Sequence, residues 1–234
     1  VIIRLRSISM PGTLRGEEEG RWQWAGPPPA EVLPASVQDV VLQRVGRLSE
    51  PAQRLLTLAA VIGRQFDLPL LRAAAGPDAE AVDGSLREWL SRRLVRGVSS
   101  AYDFSHDKIR SVVYHATGAA QRRLHLRVGE AMEGLYIAQP EAVCAQLAYH
   151  YERADSRNKA LIYLPMAAAR AASVYANQEA LNYYDRALAL LEKDDSRRWE
   201  ILLRRMQVLH LTGQYDEARA AGWQVVEAAQ DTAD

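Results

Sequence analysis

The most distinctive polar segment of the chain is Phe104-Ser105-His106-Asp107, which is followed by Arg110 and Tyr114. Ser, His and Asp are the residue types of a hydrolytic triad. Triad members meet through the fold, however, whereas three consecutive residues at the start of a helix point in different directions. An imidazole and a guanidinium near a helix N-terminus suit an anion instead, because free backbone N–H groups favour negative charge there. The segment therefore predicts either a structural helix cap or an anion contact made by His106 and Arg110.

Other motifs for catalysis or metal binding are absent from the sequence. It has no Gly-Lys dipeptide, which excludes the phosphate-binding loop G-x-x-x-x-G-K-[ST], and it has no H-E-x-x-H, C-x-x-C or G-x-S-x-G. The single cysteine, Cys144, leaves a structural zinc site short of its usual ligands. We therefore predict no catalytic residue, no metal site and no enzymatic activity. The other histidines are expected to be solvated or at the edge of the core: His115, His125, His150 and His210.

The charge balance argues against direct nucleic-acid binding. The chain carries 29 basic and 29 acidic residues, whereas a DNA-binding domain usually shows a clustered basic excess. Glu88, Asp103 and Glu130 are interleaved among the arginines that would form a basic patch, so DNA contact is kept only as the alternative hypothesis. Those arginines are Arg87, Arg92, Arg93, Arg96, Arg122, Arg123 and Arg127.

Composition also limits the size and location of the protein. With 234 residues, 48% of them hydrophobic, the chain has enough apolar material for one large or two modest domains. One cysteine fits a reducing cytosol, and no segment approaches the ~20 apolar residues of a membrane span. We expect a cytoplasmic protein with no membrane partner. Because the sequence begins at Val1 without Met, we also expect it to be a piece of a longer protein.

The pattern of residues 1–117 predicts a small domain of helices and a β-hairpin. Residues 1–35 are rich in loop signals, and the alternation of Arg21-Trp22-Gln23-Trp24 favours a short hairpin within this irregular lead-in. From Ser36, a predicted N-cap, helical periodicity begins and continues to about residue 94. Two short strands then flank Ser99-Ser100, and Ser105 is predicted to cap the next helix. Residues 36–117 thus predict a winged-helix-like domain.

The rest of the chain predicts a connecting helix over 118–139 and helical repeats over 140–234. Ala180, Tyr184 and Ala187 match the small–aromatic–small pattern of a tetratricopeptide hairpin, and Gly213 and Ala218 repeat its start. The offset between Ala180 and Ala218 exceeds the usual period of about 34 residues by a short insertion at 193–196. Tyr215 belongs to the second match, in which Gly222 replaces a large residue. The prediction is a mainly α protein with a tetratricopeptide-like array; an ordinary helical bundle is the alternative.

Several of these segments together resemble one protein family. Three stretches of the chain resemble bacterial signal-transduction ATPases with numerous domains. They are Leu33-Pro34-Ala35-Ser36-Val37 through Val41, the segment from Leu58 to Asp67, and Tyr102-Asp103-Phe104-Ser105-His106 with the following Arg122-Arg123-Leu124-His125. This family includes regulators akin to the maltose-regulator type of transcriptional activator and to cyclase-linked predicted ATPases. The resemblance covers roughly residues 20–192 and begins after the nucleotide-binding core of such proteins.

What the resemblance implies is a switch protein. An ATPase core would bind ADP or ATP, the winged helix would sense the nucleotide, and the repeats would bind an inducer or protein partner. His106 matches the family's winged-helix histidine that contacts ADP, although Ser105 replaces the usual hydrophobic residue before it. The partners implied are the upstream nucleotide-binding domain of the same chain and a protein or inducer at the repeats, while this chain itself holds no cofactor. A stand-alone helical scaffold is the remaining alternative.

Overall fold

The computed structural model describes residues 14–16, 22–24 and 37–230. At the beginning, β1 (Leu14–Gly16) pairs antiparallel with β2 (Trp22–Trp24). This second strand lies in the segment whose alternation predicts a hairpin. The predicted cap Ser36 and most of the lead-in lie outside the described residues.

Residues 37–116 have the helix and strand order of a winged-helix domain. The antiparallel sheet has the strand order β3 (Gln65–Phe66), β5 (Ala101–Phe104), β4 (Val95–Val98). The short strand β3, which lies before helix α3 (Leu68–Ala75), thus completes the wing hairpin β4–β5. The predicted helical domain with a small β-hairpin is confirmed, while β3 adds a strand that two residues of alternation cannot predict. The elements are α1 (Val37–Gly46), α2 (Glu50–Ile62), β3 (Gln65–Phe66), α3 (Leu68–Ala75), α4 (Val82–Ser91), β4 (Val95–Val98), β5 (Ala101–Phe104) and α5 (Asp107–Ala116).

Local sequence explains where several of these helices begin. Pro51 lies in the first turn of α2, where its missing N–H costs nothing. Asp67 caps α3, because its carboxylate accepts a hydrogen bond of 2.7 Å from the Leu70 N–H. A 3-10 helix (Gly76–Ala81) precedes α4, and α4 ends at Ser91, so the helical segment stops before the predicted end near residue 94.

Trp89 is the central anchor of this first core. Its side chain is completely buried, its ring packs edge-on against Phe66 at 6.2 Å, and its indole N–H donates to the Ala52 carbonyl at 3.1 Å. The contact joins α4 to α2 and satisfies the only polar atom of the indole. Burial of this aromatic therefore fixes two helices and the sheet against one another.

Residues 121–230 form six helices that pack in sequence order. Each helix packs against the next along the chain, as in a helical repeat array. The helices are α6 (Gln121–Leu135), α7 (Cys144–Arg153), α8 (Arg157–Ser173), α9 (Asn177–Leu190), α10 (Arg198–Leu211) and α11 (Tyr215–Gln230), with short 3-10 helices at Gly118–Ala120 and Pro140–Val143.

Side-chain contacts show that neighbouring helices are antiparallel. Tyr151 near the end of α7 stacks on Tyr163 of α8, while the Arg170 guanidinium farther along α8 donates to the Glu141 carbonyl just before α7. The same crossing pattern places the start of α8 beside the end of α9, where Arg157 pairs with Glu192. The array therefore consists of three helical hairpins: α6–α7, α8–α9 and α10–α11.

The repeat signature occupies the positions that the sequence predicts. Ala180 and Ala187 are fully buried and Tyr184 nearly so, which confirms a tetratricopeptide-like array. At Gly222, a Cβ would lie 3.4 Å from Met206 Sδ, so the missing aromatic of the second match is replaced by close contact with α10. Tyr215 of that match is largely exposed.

Helix α6 belongs to both hydrophobic cores. Val128 packs in the winged-helix core, Met132 packs in the array core, and Ala131 contacts both. Arg127 strengthens the junction by donating a hydrogen bond of 2.6 Å to the Ala74 carbonyl at the end of α3. The predicted connecting segment is thus also the first helix of the array. Among the described residues, no helix combines the length and apolar character needed to cross a bilayer.

Candidate functional site

The segment around His106 does not form the helix cap that Ser105 was expected to provide. The Ser105 N–H still donates to the Leu94 carbonyl at 3.0 Å, which keeps this residue extended at the end of the sheet. α5 therefore begins at Asp107, and His106 takes the N-cap position without a side-chain hydrogen bond to the helix. The prediction of a Ser105 cap is wrong, and the His106 imidazole is exposed.

Arg110 is half-buried against the body of the winged helix. Its Nε donates to the Ala60 carbonyl of α2 at 3.0 Å, and its guanidinium lies 5.6 Å from the centre of the Tyr114 ring. Within the described residues, no hydrogen bond or ion pair joins Arg110 to His106. Of the two predicted anion contacts, His106 is the one with an exposed side chain, and no described residue forms a hydrogen bond or ion pair with its imidazole.

Charges around the start of α5 compensate one another. Asp103, on the central strand β5, is largely buried, and its Oδ2 accepts a hydrogen bond from Arg96 at 3.0 Å. Arg64 lies 3.5 Å from Asp103 Oδ1 and pairs with Asp107 at 2.9 Å. Asp103 Oδ1 itself has no hydrogen bond within the described structure. The Asp107 carboxylate thus occupies the surroundings of the helix N-terminus that an anion would otherwise favour.

Two histidines that were expected near the surface are in fact buried against each other. His125 of α6 and His150 of α7 are almost completely inaccessible, and their Nδ1 atoms are 2.9 Å apart. The Tyr114 hydroxyl lies 2.9 Å from His125 Nε2, which extends the contact to α5. One Nδ1 must donate and the other accept, so at least one of the two rings is neutral in this hydrogen-bonded arrangement. The expectation of solvated or core-edge histidines is wrong for this pair.

The surroundings of this pair disfavour protonation. Burial, followed by the positive charges of Arg153 and Arg110, lowers the pKa of His125 to about 4. Burial, followed by the neighbouring His125 and Arg110, lowers the pKa of His150 to about 3. Tyr149 completes the cluster. Its ring centre lies 5.6 Å from that of His125, and the Arg153 guanidinium lies 5.5 Å from the same Tyr149 ring centre. The group joins α5, α6 and α7 and is neutral near pH 7.

A second polar group fixes the first hairpin to the second. Glu133 of α6 accepts hydrogen bonds from the Tyr151 hydroxyl, the Tyr163 hydroxyl and the Lys159 ammonium. Burial acts to raise the pKa of Glu133, but these hydrogen bonds outweigh it and lower the pKa overall. Burial and the same carboxylate raise the pKa of both tyrosines. Sequence reasoning missed this group, because its members are far apart in the chain.

Most arginines of the suspected basic patch are already engaged within the protein. Arg92 pairs with Glu88 at 3.6 Å, Arg96 with Asp103, and Arg122 with Asp155 at 3.2 Å. Arg127 is bound to the Ala74 carbonyl. Such pairing leaves less uncompensated positive charge for phosphate groups than the sequence suggests.

The array contains a depression between α8 and α10. It has a volume of about 580 Å³, with an apolar wall from α8 that includes Ile162 and Pro165 and a polar wall from α10 that includes Glu200 and Arg204. Pro165 lies inside α8, where it removes one backbone donor from the helix. The depression can therefore accept a ligand with both apolar and polar groups. In the described part of the chain, no group of three or more His, Cys, Asp or Glu side chains is arranged to hold a metal ion.

Comparisons with known proteins give one structural likeness. No protein-family model matches the chain, and no curated protein matches its sequence significantly. Among solved structures, the chain is similar to a signal transduction ATPase with numerous domains (STAND) protein with a tetratricopeptide repeat sensor from Pyrococcus horikoshii, with a TM-score of 0.40 and 11% identity. The match covers 86% of this chain and 35% of that one, so this chain spans about a third of the length of that protein.

Proposed function

We propose that the chain is the regulatory, partner-binding part of a multidomain signal-transduction ATPase. In this proposal the array binds a protein partner or inducer, and the winged helix relays that event to a nucleotide-binding domain of the same protein. The relay works through contacts between domains, without chemistry in this chain. The carrying observation is that α6 contributes Val128 to one core and Met132 to the other, so neither module can shift without repacking this helix.

The polar junction supports the same role. The contact between His125 and His150, with Tyr114 beside it, places directional hydrogen bonds across α5, α6 and α7. Hydrogen bonds of this kind hold one relative position of the helices, because a displaced ring would leave buried nitrogen atoms unpaired. A partner that tilts the first hairpin must therefore move α5 or break this contact.

His106 is the residue that we propose for contact with bound ADP in the larger protein. Its imidazole is exposed at the first turn of α5 and has the donor groups that phosphate oxygens accept. Arg110 fits this role poorly, because its Nε is bound to Ala60. The nucleotide would be held mainly by its own domain, since the 234-residue sequence has no phosphate-binding loop. We accordingly expect this chain alone to release no phosphate from ATP.

The test uses the longer protein that contains both the nucleotide-binding domain and this chain. His106→Ala should speed the release of a fluorescent ADP analogue by about tenfold, the effect of losing one charge-assisted hydrogen bond of roughly 1.4 kcal/mol. It should also raise the basal output. His115→Ala is the matched control, because His115 is an exposed histidine on the same helix. Equal ADP release from the His106 variant and the unchanged protein would contradict the proposal, as would salt-dependent binding of duplex DNA by the chain.

A further inference from the structure

The two edges of the helical array differ in charge. The connections within the second and third hairpins, residues 174–176 and 212–214, contain no Asp, Glu, Lys or Arg, and the connection within the first, residues 136–143, contains Glu141 as its one charged residue. The connections between hairpins carry more charge: residues 154–156 include Asp155, and residues 191–197 include Glu192, Lys193, Asp194, Asp195 and Arg197. Because successive helices are antiparallel, the two sets of connections lie at opposite ends of the helices. One edge of the array therefore carries little charge, and the other carries more.

The edge with little charge also carries the most exposed apolar side chains. Tyr175, Ile137 and Leu211 are 88%, 81% and 78% exposed, which makes them the three most exposed large apolar residues of the described chain. Each comes from a different hairpin. We name the surface formed by Ile137, Val174, Tyr175, Leu211 and Tyr215 the intra-hairpin edge. Five large apolar residues, two of them tyrosines, are each more than 60% exposed on this edge, and an exposed apolar cluster of this kind marks a binding surface.

Contacts between hairpins make this edge a continuous surface. The Arg170 guanidinium, near the end of α8, donates to the Glu141 carbonyl in the first connection. Ala172 of α8 and Leu211 of α10 line the same depression, which joins the second connection to the third. Leu211 and Tyr215 line a further apolar depression between α10 and α11. The exposed residues are therefore neighbours along one edge.

Tyr175 is present although the backbone disfavours it. Its φ is +61°, a left-handed conformation that bulky side chains rarely adopt and that Gly, Asn and Asp tolerate well. The corresponding left-handed residues of two other connections are Asp155 and Gly213, which are the expected types. Tyr175 thus adds backbone strain and exposed apolar surface together, and neither stabilises the isolated chain.

We propose that the intra-hairpin edge is a homodimer interface that binds the same edge of a second copy of this chain. A two-fold interface must be self-complementary, and an uncharged apolar patch meets this condition without like-charge contacts. The arginines at its rim are engaged within the chain, Arg219 with Asp216 and Arg170 with the Glu141 carbonyl, so they add little unpaired positive charge to a contact between two copies. A bilayer fits less well, because membrane-bound surfaces usually add uncompensated basic residues beside their apolar ones. This inference goes beyond the proposed relay and does not depend on it.

Sedimentation velocity of the 234-residue chain over a wide concentration range tests the interface. We expect a monomer–dimer equilibrium that depends little on salt, because the centre of the interface is uncharged. Tyr175→Asn should raise the dimer dissociation constant by about tenfold or more, the effect of removing a central aromatic residue. The same variant should be at least as heat-stable as the unchanged chain, since Asn suits φ +61° better than Tyr.

Two further variants sharpen the test. Leu211→Asp should also prevent dimer formation, whereas Ser196→Asp, which adds the same charge to an exposed residue at the opposite edge, should leave the equilibrium unchanged. A chain that stays monomeric at all concentrations overturns the proposal. A dimer that tolerates both Tyr175→Asn and Leu211→Asp overturns it too. A monomer that cosediments with neutral lipid vesicles, and loses this binding in the Tyr175 variant, assigns the edge to a membrane instead.

Discussion

His125 and His150 make the protein sensitive to acid at a single buried contact. Either ring can hold its proton on Nδ1, but the contact of 2.9 Å needs one nitrogen atom that is free of a proton. If both rings were protonated, two positive charges would face each other, with Arg110 and Arg153 close by. No carboxylate is among the groups that shift the pKa of either histidine. Protonation of the pair thus opposes the folded arrangement of α5, α6 and α7.

We predict that the chain loses stability as the pH falls below about 6.5. In the folded chain the pKa values of His125 and His150 are about 4 and about 3, against an ordinary value of 6.5. The unfolded chain therefore binds more protons within this window, and the free energy of unfolding declines on acidification. Urea denaturation at pH 7.5 and 5.5 should show a loss of about 2 kcal/mol, since each depressed histidine contributes up to about 1.4 kcal/mol per pH unit.

A double variant isolates the cause of this acid sensitivity. Replacing both residues, His125→Gln and His150→Gln, removes the two titrating rings and should flatten the difference between pH 7.5 and 5.5, whatever its effect on absolute stability. His115→Gln, at an exposed position, should keep the full difference. If the double variant retained the pH dependence of the unchanged chain, another group would be responsible.

Sequence patterns located these histidines only in part. His125 falls three residues before Val128 and seven before Met132, a helical spacing that places it on the apolar face of α6. That spacing is a signal for burial, and it was available in the sequence. The sequence did not show that His150 is the partner of His125, because His150 lies 25 residues away and only packing of the helices brings the two rings together. The exposure of His106, and the attachment of Arg110 to Ala60, likewise depend on tertiary contacts.

Between elements, the closest approach of α6 and α7 depends on Gly129. A Cβ at this position would lie 3.1 Å from two ring atoms of Tyr151. The ring has little freedom to move, because it is fully buried, stacked on Tyr163 and bound through its hydroxyl to Glu133. The glycine therefore serves the packing of two helices, at the cost of helix propensity.

Gly129→Ala should destabilise the chain by about 1–3 kcal/mol, the usual effect of overpacking a rigid core. Gly134→Ala provides a matched comparison in the same helix, because no atom lies within 4 Å of its added Cβ. There the gain in helix propensity should stabilise the chain by about 0.5–1 kcal/mol. Chemical denaturation of both variants would show opposite signs; equal effects would mean that the Tyr151 ring moves freely.

Periodicity predicted the long elements better than the short ones. The Ala180, Tyr184 and Ala187 pattern identified a repeat helix because three residues at helical spacing pack against one neighbour. β3 escaped prediction, since Gln65-Phe66 becomes a strand only by pairing with Tyr102 and Asp103. The start of α5 also depended on pairing, because the hydrogen bond from Ser105 to Leu94 moves the N-cap one residue on, from the expected Ser105 to His106.

At the scale of the whole molecule, the two cores should unfold together. Leu164 is completely buried in the array core, so Leu164→Ala should cost about 2–5 kcal/mol. Because α6 is common to both cores, we expect faster hydrogen exchange in this variant in α2 and α3 as well as in α8. Exchange measured by mass spectrometry would decide the matter. Acceleration confined to α7–α11 would show that the modules unfold independently.

The double membership of α6 also restricts how an array of this kind can change its length. A hairpin removed at the winged-helix end would take Val128 with it and leave a hole in the first core. A hairpin added after α11 disturbs only the outer face of the last repeat. Arrays of different lengths built on this plan would keep the first hairpin at a fixed distance and angle from the winged helix. The position of the first hairpin is therefore fixed by α6, and the array can lengthen only beyond α11.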